Sequence, residues 1–289
     1  MALSRISAIQ CLLLAAFLLQ ACGREPASEA MAATAAETRI VALSPHIVEL
    51  VYAAGAGDSL VGAVEFSDYP VAAQDIPRVG DSFRIDYERL AQLNPSVILV
   101  WEAGNPPEVV NQLNNLGYRV LKLKSAGIAE IAADLRRIGE LAGTAGQAST
   151  AARNMLEEME ALRDSRRQAP PLAVFFQISA EPYYSVSGDH VISEIIELCG
   201  GRNVFAGLTG LALPVSEESV IAANPDVILA ARHNDDSGWK QAWQKWTGMT
   251  AVRNDSLYTI DRDLISRSGP RIVAGAKLVC AALDSARNQ

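Results

Sequence analysis

Histidine, cysteine and aromatic side chains are all scarce in this 289-residue chain, which has three His, four Cys and 6% Phe, Trp and Tyr. His46, His190 and His233 lie far apart, and no C-x-x-C or H-E-x-x-H spacing occurs. The usual zinc and haem-attachment signatures are therefore missing. No G-x-x-x-x-G-K-[ST] is present, so the chain is not a P-loop ATPase, and no G-x-S-x-G elbow marks a serine hydrolase. Cationic charge is also short: 25 Lys and Arg stand against 33 Asp and Glu, a net −8. That balance repels polyanions and excludes a broad nucleic-acid surface. The unbroken apolar run from Cys11 to Leu19 is too short to cross a bilayer, which takes about 20 such residues.

What is present points to export. Arg5 supplies a positive start, the apolar run follows, and Leu19, Gln20, Ala21 and Cys22 end it with a small residue just before the cysteine. Residues 1–21 read as a secretory signal whose ending resembles a bacterial lipobox, with Cys22 as the lipidated first residue. Plain cleavage after Ala21, leaving a free Cys22, is the alternative. Residues 22–38 read as a flexible tether, rich in Ala, Glu, Ser and Thr. Loss of the signal removes Arg5 alone among charges, so 24 basic against 33 acidic side chains leave the mature chain at −9. Cys199 and Cys280 then remain in an oxidising compartment, where a disulfide between them is the expectation and two buried thiols are the alternative.

The apolar fraction of 49% suffices for one large or two ordinary domains. Residues 39–125 alternate short strands with helices, starting with a strand at Arg39–Leu43. That strand ends at Ser44 and Pro45, a cap and a first-turn proline for a helix through Ala54. Residues 126–169 are a helical connection, interrupted at Leu141–Gly146 and resuming through Met155, Met159 and Leu162. Pro170 and Pro171 stop it, and strand and helix alternate again over residues 170–289. The fold class is α/β, with two similar parallel-sheet lobes joined by a single long helix.

An internal repeat supports the duplication. ERLAQLNPSVIL from Glu88 and ESVIAANPDVIL from Glu218 share six of twelve positions at an offset of 218 − 88 = 130 residues. In each copy Asn-Pro breaks a helix, and Val-Ile-Leu enters a strand covered on both faces. Asp86 and Ser216 are matching N-caps, which puts Glu88 and Glu218 in equivalent first helical turns. The helix dipole alone accounts for such glutamates; two lobes presenting one carboxylate each to arginines of a two-fold partner is the functional account.

RIVALSP from Arg39, the Phe66–Pro70 segment (FSDYP), both Asn-Pro-x-Val-Ile-Leu strands, Glu194–Phe205 (EIIELCGGRNVF) and Ser268–Arg271 (SGPR) occur in an order that resembles the helical-backbone substrate-binding proteins of ABC importers. The likeness covers residues 39–284 and is nearest to the cobalamin-binding branch; haem and ferric-siderophore binders share the family. It implies a ligand cleft between the two α/β lobes and a non-catalytic, monomeric carrier, lipid-anchored in the periplasm, with no cofactor of its own. Such a carrier captures cobalamin or a related corrinoid and delivers it to a dimeric permease with ATPase subunits. It further implies that Glu88 and Glu218 dock on permease arginines and that Cys199 pairs with Cys280. Phe66, Trp101 and Tyr184 become ring contacts, and Asp263, Leu264, Ile265, Ser266 and Arg267 form the lobe-two loop at the ligand edge. Where that branch has tryptophans this chain has Ser82 and Ala212, so Phe83 is the neighbour expected to supply the lost face.

The remaining candidates have plainer explanations. His46 reads as a capping-turn histidine rather than an axial ligand, Tyr69 as a packed turn residue, and Trp239, Trp243 and Trp246 as one core-facing helix stripe. A secreted hydrolase built on Ser44, or on Ser187, Asp189 and His190, is the rival of another class. Against it, Asp189 is explained as the cap of the helix leading to Cys199. Haem or a ferric siderophore in place of the corrinoid is the rival within the class, favoured if arginines such as Arg84, Arg232 and Arg267 line the cleft.

Overall fold

β-branched and leucine-rich runs dominate the strands, and they sort into two parallel sheets. The computed structural model describes residues 38–180, 182–232 and 238–289. The signal, the tether up to residue 37 with Cys22, and His233 lie outside the described residues. Residues 38–289 form one compact unit.

The first sheet joins β1 (Ile40–Ala42), β2 (Leu60–Ala63), β3 (Val97–Trp101) and β4 (Val120–Leu123) in the order β2-β1-β3-β4, all parallel. Three helices belong to it: α1 (Pro45–Ala53), α2 (Tyr87–Leu93) and α3 (Pro107–Asn115). Then comes a helical hairpin, α4 (Ile128–Ala142) and α5 (Ala145–Asp164), turned at Gly143 in the left-handed conformation. The twenty residues of α5 span about 30 Å at 1.5 Å each. Ala148, Ala152, Met155 and Met159 give that helix one buried stripe.

The second sheet contains β5 (Leu172–Gln177), β8 (Gly201–Asn203), β10 (Val227–Arg232) and β11 (Leu257–Asp261), in the order β11-β10-β5-β8. Read from its other edge, β8-β5-β10-β11 matches β2-β1-β3-β4 strand for strand, and all its pairings are parallel as well. The repeat falls on equivalent elements. Helix α2 ends at Asn94 (φ 44°, ψ 59°) before β3, and its counterpart α7 (Glu217–Ala223) ends at Asn224 (φ 41°, ψ 63°) before β10. Asparagine tolerates this left-handed turn better than most residues, and the proline after it bars a further helical turn. Each N-cap acts as read: Asp86 accepts from the Arg89 N–H, and Ser216 accepts from the Ser219 N–H.

The second half departs from simple alternation. A three-stranded antiparallel sheet, β6 (Ser179–Ala180), β7 (Tyr183–Val186) and β9 (Ala212–Pro214), stands between β5 and α7. Its strands run two to four residues, too short for alternation to show in the sequence. Helix α6 (Val191–Leu198) lies within this region and is capped by His190 rather than Asp189: His190 Nδ1 accepts from the Ile192 N–H at 3.1 Å. Ser44 likewise does not cap α1, because its hydroxyl meets His46 Nδ1 at 2.8 Å instead.

The chain closes with α8 (Gly238–Gln244), α9 (Thr250–Arg253), α10 (Arg262–Ile265) and α11 (Ile272–Arg287). A Cβ on Gly275 would stand 2.5 Å from the Leu264 carbonyl, so α11 approaches α10 as closely as glycine alone permits. Cys199, ending α6, is disulfide-bonded to Cys280 in the middle of α11. Trp239 and Trp243 are buried, Trp246 is half-buried, and the three belong to one core cluster, as their spacing implies.

Candidate functional site

In open parallel sheets the loops leaving the carboxyl ends of the strands build the ligand crevice. Loops of that kind from both sheets meet here around a cavity of about 540 Å³. Pro45 follows β1, Phe66 and Asp68 follow β2, and Arg262, Asp263, Ser266 and Arg267 follow β11. The volume is in the usual range for small-molecule clefts.

Phe66 is the apolar face of this cavity. Its ring is 78% exposed, and its backbone is left-handed at φ 64°. A bulky residue in that region carries strain, and such strain concentrates at ligand clamps.

The polar face is organised by charge. Arg267 Nη1 donates to Asp68 Oδ1 at 2.6 Å across the cleft, and to Glu49 Oε1 at 3.3 Å. Arg267 Nη2 stands 3.3 Å from Asp263 Oδ1. Glu49, on α1, has a carboxylate only 1% exposed and is gripped by Arg271: Nε donates to Oε2 at 2.9 Å, Nη2 to Oε1 at 2.7 Å. Arg271 also lies 4.0 Å over the Tyr69 ring in a cation–π contact, although Tyr69, read as a packed turn residue, is 44% exposed. The hydrogen bond from Arg267 holds the Asp68 carboxyl below its ordinary value. Two arginines of lobe two and three carboxylates, two of them from lobe one, thus form one paired cluster of net −1, which Arg262 on the same lining brings to zero.

His46 lies behind the cavity wall, 5% exposed, its ring edge-on to Trp101 at 5.1 Å between centroids. Burial, then the positive charge of Arg267, lowers its pKa to about 3. Burial lowers that of His190 to about 4. Both rings are neutral at physiological pH.

The cavity brings together four of the nine sequence-predicted ligand residues: Phe66, Asp263, Ser266 and Arg267. Phe83, 68% exposed, sits on a tight turn where Asp81 Oδ1 accepts from the Phe83 and Arg84 N–H groups. Trp101 ends β3 with its indole N–H on the Lys124 carbonyl. Tyr184 lies on β7, opposite Pro214. These three are on cleft-side loops or edges without lining the cavity. Leu264 is half-buried against α11. Ile265 corrects the sequence reading: it is wholly buried in the core and turns away from the cleft. In a four-residue helix, neighbours at 263 and 266 face outward while 265 faces the core. Ser82 and Ala212 leave no aromatic face of their own, and Arg232 turns to the carbonyls of Ile178 and Ala231.

Glu88 and Glu218 are exposed in the first turns of α2 and α7, and neither is ion-paired among the described residues. The adjacent Glu217 is occupied instead by the Trp246 indole N–H and Lys245.

Sequence reasoning missed Glu49, Asp68, Arg271 and Glu194 as structural partners. Glu194 Oε2 accepts from the Ile128 N–H at 2.8 Å, so a lobe-two carboxylate caps α4, whose own N-cap is Gly127. The signal for Glu49 was a single charge on the otherwise apolar helix PHIVELVYA.

A sequence profile described as periplasmic binding protein matches residues 40–264. The vitamin B12-binding protein of Vibrio cholerae is 32% identical over 252 residues, covering 87% of this chain and 91% of that protein. The vitamin B12-binding protein of Photorhabdus laumondii is 32% identical over 250 residues, covering 86% and 89%. Among solved structures, the periplasmic vitamin B12-binding protein BtuF of Vibrio cholerae superposes with a TM-score of 0.80 at 32% identity, covering 87% of this chain and 98% of that one. The periplasmic heme-binding protein RhuT of Roseiflexus gives 0.73 at 25% identity, covering 87% and 99%.

Two predictions follow from the charges. Glu49→Ala removes the buried member of the pair and leaves half-buried Arg271 without its carboxylate, which should cost about 3 kcal/mol or more, whereas Glu49→Leu with Arg271→Leu should recover most of that. Denaturant unfolding checks this; a loss under about 1 kcal/mol for the single change contradicts a buried pair. The neutral histidines set a pH slope. Between the unfolded value of 6.5 and the folded values of about 3 and 4, the unfolded chain holds protons that the folded one does not. Stability should therefore fall as pH drops from 7 to 5, and His46→Gln with His190→Asn should flatten that slope, Asn preserving the cap. A wild-type stability that is level from pH 7 to 5 would refute it.

Proposed function

This chain belongs to the periplasmic binding protein family, and on that premise we propose that it captures cobalamin or a related corrinoid in the cleft between its sheets and delivers it to an ATP-driven importer. The observation that carries the ligand reading is the cavity: an exposed aromatic face at Phe66 beside a charge cluster that is already neutral. Two arginines and two aspartates line it, and the pair behind them, Glu49 and Arg271, cancels as well. A corrin ring presents apolar faces and an uncharged amide periphery, which such a surface accommodates. Carboxylate-bearing haem or a ferric siderophore needs uncommitted arginines. Of the lining residues, Arg267 is held by three carboxylates, and Arg262 alone among the lining cations has no ion pair in the described residues. The relatives at 32% identity bear the name vitamin B12-binding protein, which supports this choice, while the structural neighbour RhuT bears the name of a heme binder.

The hydrolase rival fares poorly on chemistry. Ser44 and His46 do touch, but a base with a pKa near 3 accepts no proton at neutral pH. His190 Nδ1 is committed to the Ile192 N–H, and Ser187 Oγ accepts from the Asp189 N–H. The carrier reading also includes secretion to the periplasm, with Cys22 as the lipid anchor of a monomer.

In this reading Glu88 and Glu218 are the docking carboxylates. They occupy equivalent turns of a duplicated fold, are exposed, and have no ion pair among the described residues, so charge-assisted pairing with permease arginines breaks no such pair.

Titrating the mature protein with cyanocobalamin, hemin and a ferric siderophore while following tryptophan fluorescence should give saturable binding for the corrinoid, weakened about tenfold by Phe66→Ala. No response to any corrinoid sinks the ligand assignment. Changing Glu88 and Glu218 together to Ala should leave that affinity within about twofold and weaken transporter association by tenfold or more. Unchanged association with the permease reduces both glutamates to helix-end charges.

A further inference from the structure

Asn105 is 5% exposed, yet it lies in the loop after β3 and belongs to no strand or helix. Its side chain joins three separate backbone segments. Oδ1 accepts from the Trp101 N–H at 2.7 Å, and Nδ2 donates to the Leu43 carbonyl at 2.9 Å and the Ser82 carbonyl at 3.2 Å. One acceptor facing an N–H and one donor group facing two carbonyls fix the orientation of the amide. Each segment leads directly to the cleft side of lobe one: Leu43 to Pro45, Ser82 to Phe83, and Trp101 by itself.

We propose that Asn105 is the positioning residue for the lobe-one wall of the cleft, acting through the Phe83 turn and the Trp101 strand end rather than by touching ligand. The turn makes the need plain. Asp81 closes it on itself, through the Phe83 and Arg84 N–H groups and the Asp81 N–H bond to the Arg84 carbonyl. Those bonds shape the turn but do not tie its tip to the sheet. The Phe83 ring is largely in solvent, so packing does not place it. The Ser82–Asn105 bond is what ties the tip to β1 and β3. Next door, a Cβ on Gly104 would stand 1.8 Å from the Trp101 ring, so the same loop also backs the indole. Asparagine suits this position because it supplies one acceptor and two donors in one planar group. Aspartate keeps the acceptor and loses the donors, and places a carboxylate against two carbonyls.

The affinity part of this inference rests on the corrinoid reading; the structural part does not. Amide hydrogen exchange on the ligand-free mature protein tests the latter. Asn105→Ala and Asn105→Asp should each speed exchange at residues 80–86 by about tenfold or more while β1, residues 97–100 of β3 and the whole second sheet keep wild-type protection; the Trp101 N–H, bonded to Asn105 itself, is left out of that comparison. Rescue by Asp, or unchanged exchange at 80–86, overturns the proposal. If Ala unfolds the protein, Asn105→Ser, whose hydroxyl still meets the Trp101 N–H, is measured in the same way.

Cyanocobalamin titration then tests the coupling. Asn105→Ala should weaken binding about tenfold in the wild-type background and less than about threefold when Phe83 is already Ala. An undiminished loss in both the Phe83→Ala and the Trp101→Ala backgrounds means that Asn105 acts through neither segment and overturns the proposal. Failure of the wild type to bind cyanocobalamin counts against the corrinoid reading alone, and the exchange experiment still decides the role of Asn105.

Discussion

A carboxylate buried on one lobe and answered by two arginines of the other is the constraint on which the cleft depends. Glu49 on α1 cannot remain ionised out of water alone, since an unpaired buried charge is among the costliest features a fold can carry. Arg271 meets it with two parallel hydrogen bonds, and Arg267 adds a third before reaching across to Asp68. The geometry is the planar fork that suits guanidinium to carboxylate, and lysine would not reproduce it. Separating the lobes at this edge would expose or orphan several charges together. The pair is therefore better understood as fixing the register of the two lobes than as adding net stability, because two apolar side chains of similar volume would serve stability as well.

Other contacts act in the same direction along the connecting helices. Glu194 caps α4 from the second lobe, Lys277 on α11 reaches Glu158 on α5, and the disulfide fastens α6 to the middle of α11. Helix α11, which starts one residue after Arg271, thus carries both the arginine grip and the disulfide. A cleft framed in this way is largely formed before its ligand arrives. Binding then spends little on ordering, and the remaining adjustment falls to exposed pieces such as Phe66 and the Phe83 turn.

Much of this was legible in the sequence because periodicity and punctuation are local signals. The Asn-Pro repeat revealed the duplication, and the structure places both copies on matching helices, matching left-handed caps and matching strands. Phe66, Asp263, Ser266 and Arg267 were assigned to the cleft through family resemblance, and they do line one cavity. The short antiparallel sheet was not legible, because strands of two to four residues carry no usable alternation. Ile265 was misassigned because a loop was taken as a unit, whereas its four residues form a helical turn with one inward face. The His190 cap was missed for a subtler reason: Asp189 is the better capping residue by type, but position relative to the first helical N–H decides which side chain reaches it.

The hardest features to read were those in which partners are distant in sequence. Glu49 and Arg271 are separated by 222 positions, and Asn105 and Leu43 by 62. Composition does hint at them, through a lone acid in an apolar helix and an asparagine in a loop that burial turns into a tie. Neither hint names its partner, because the partner is fixed by how the two sheets are brought together. The same logic explains why the charge balance of the cavity emerges only from structure. Counted in sequence, the arginines of the carboxyl-edge loops suggest an anion site; once Asp68, Asp263 and Glu49 are placed against them, the excess positive charge largely disappears. Of the lining arginines, Arg267 is already held by three carboxylates, and Arg262 is left without an ion pair among the described residues.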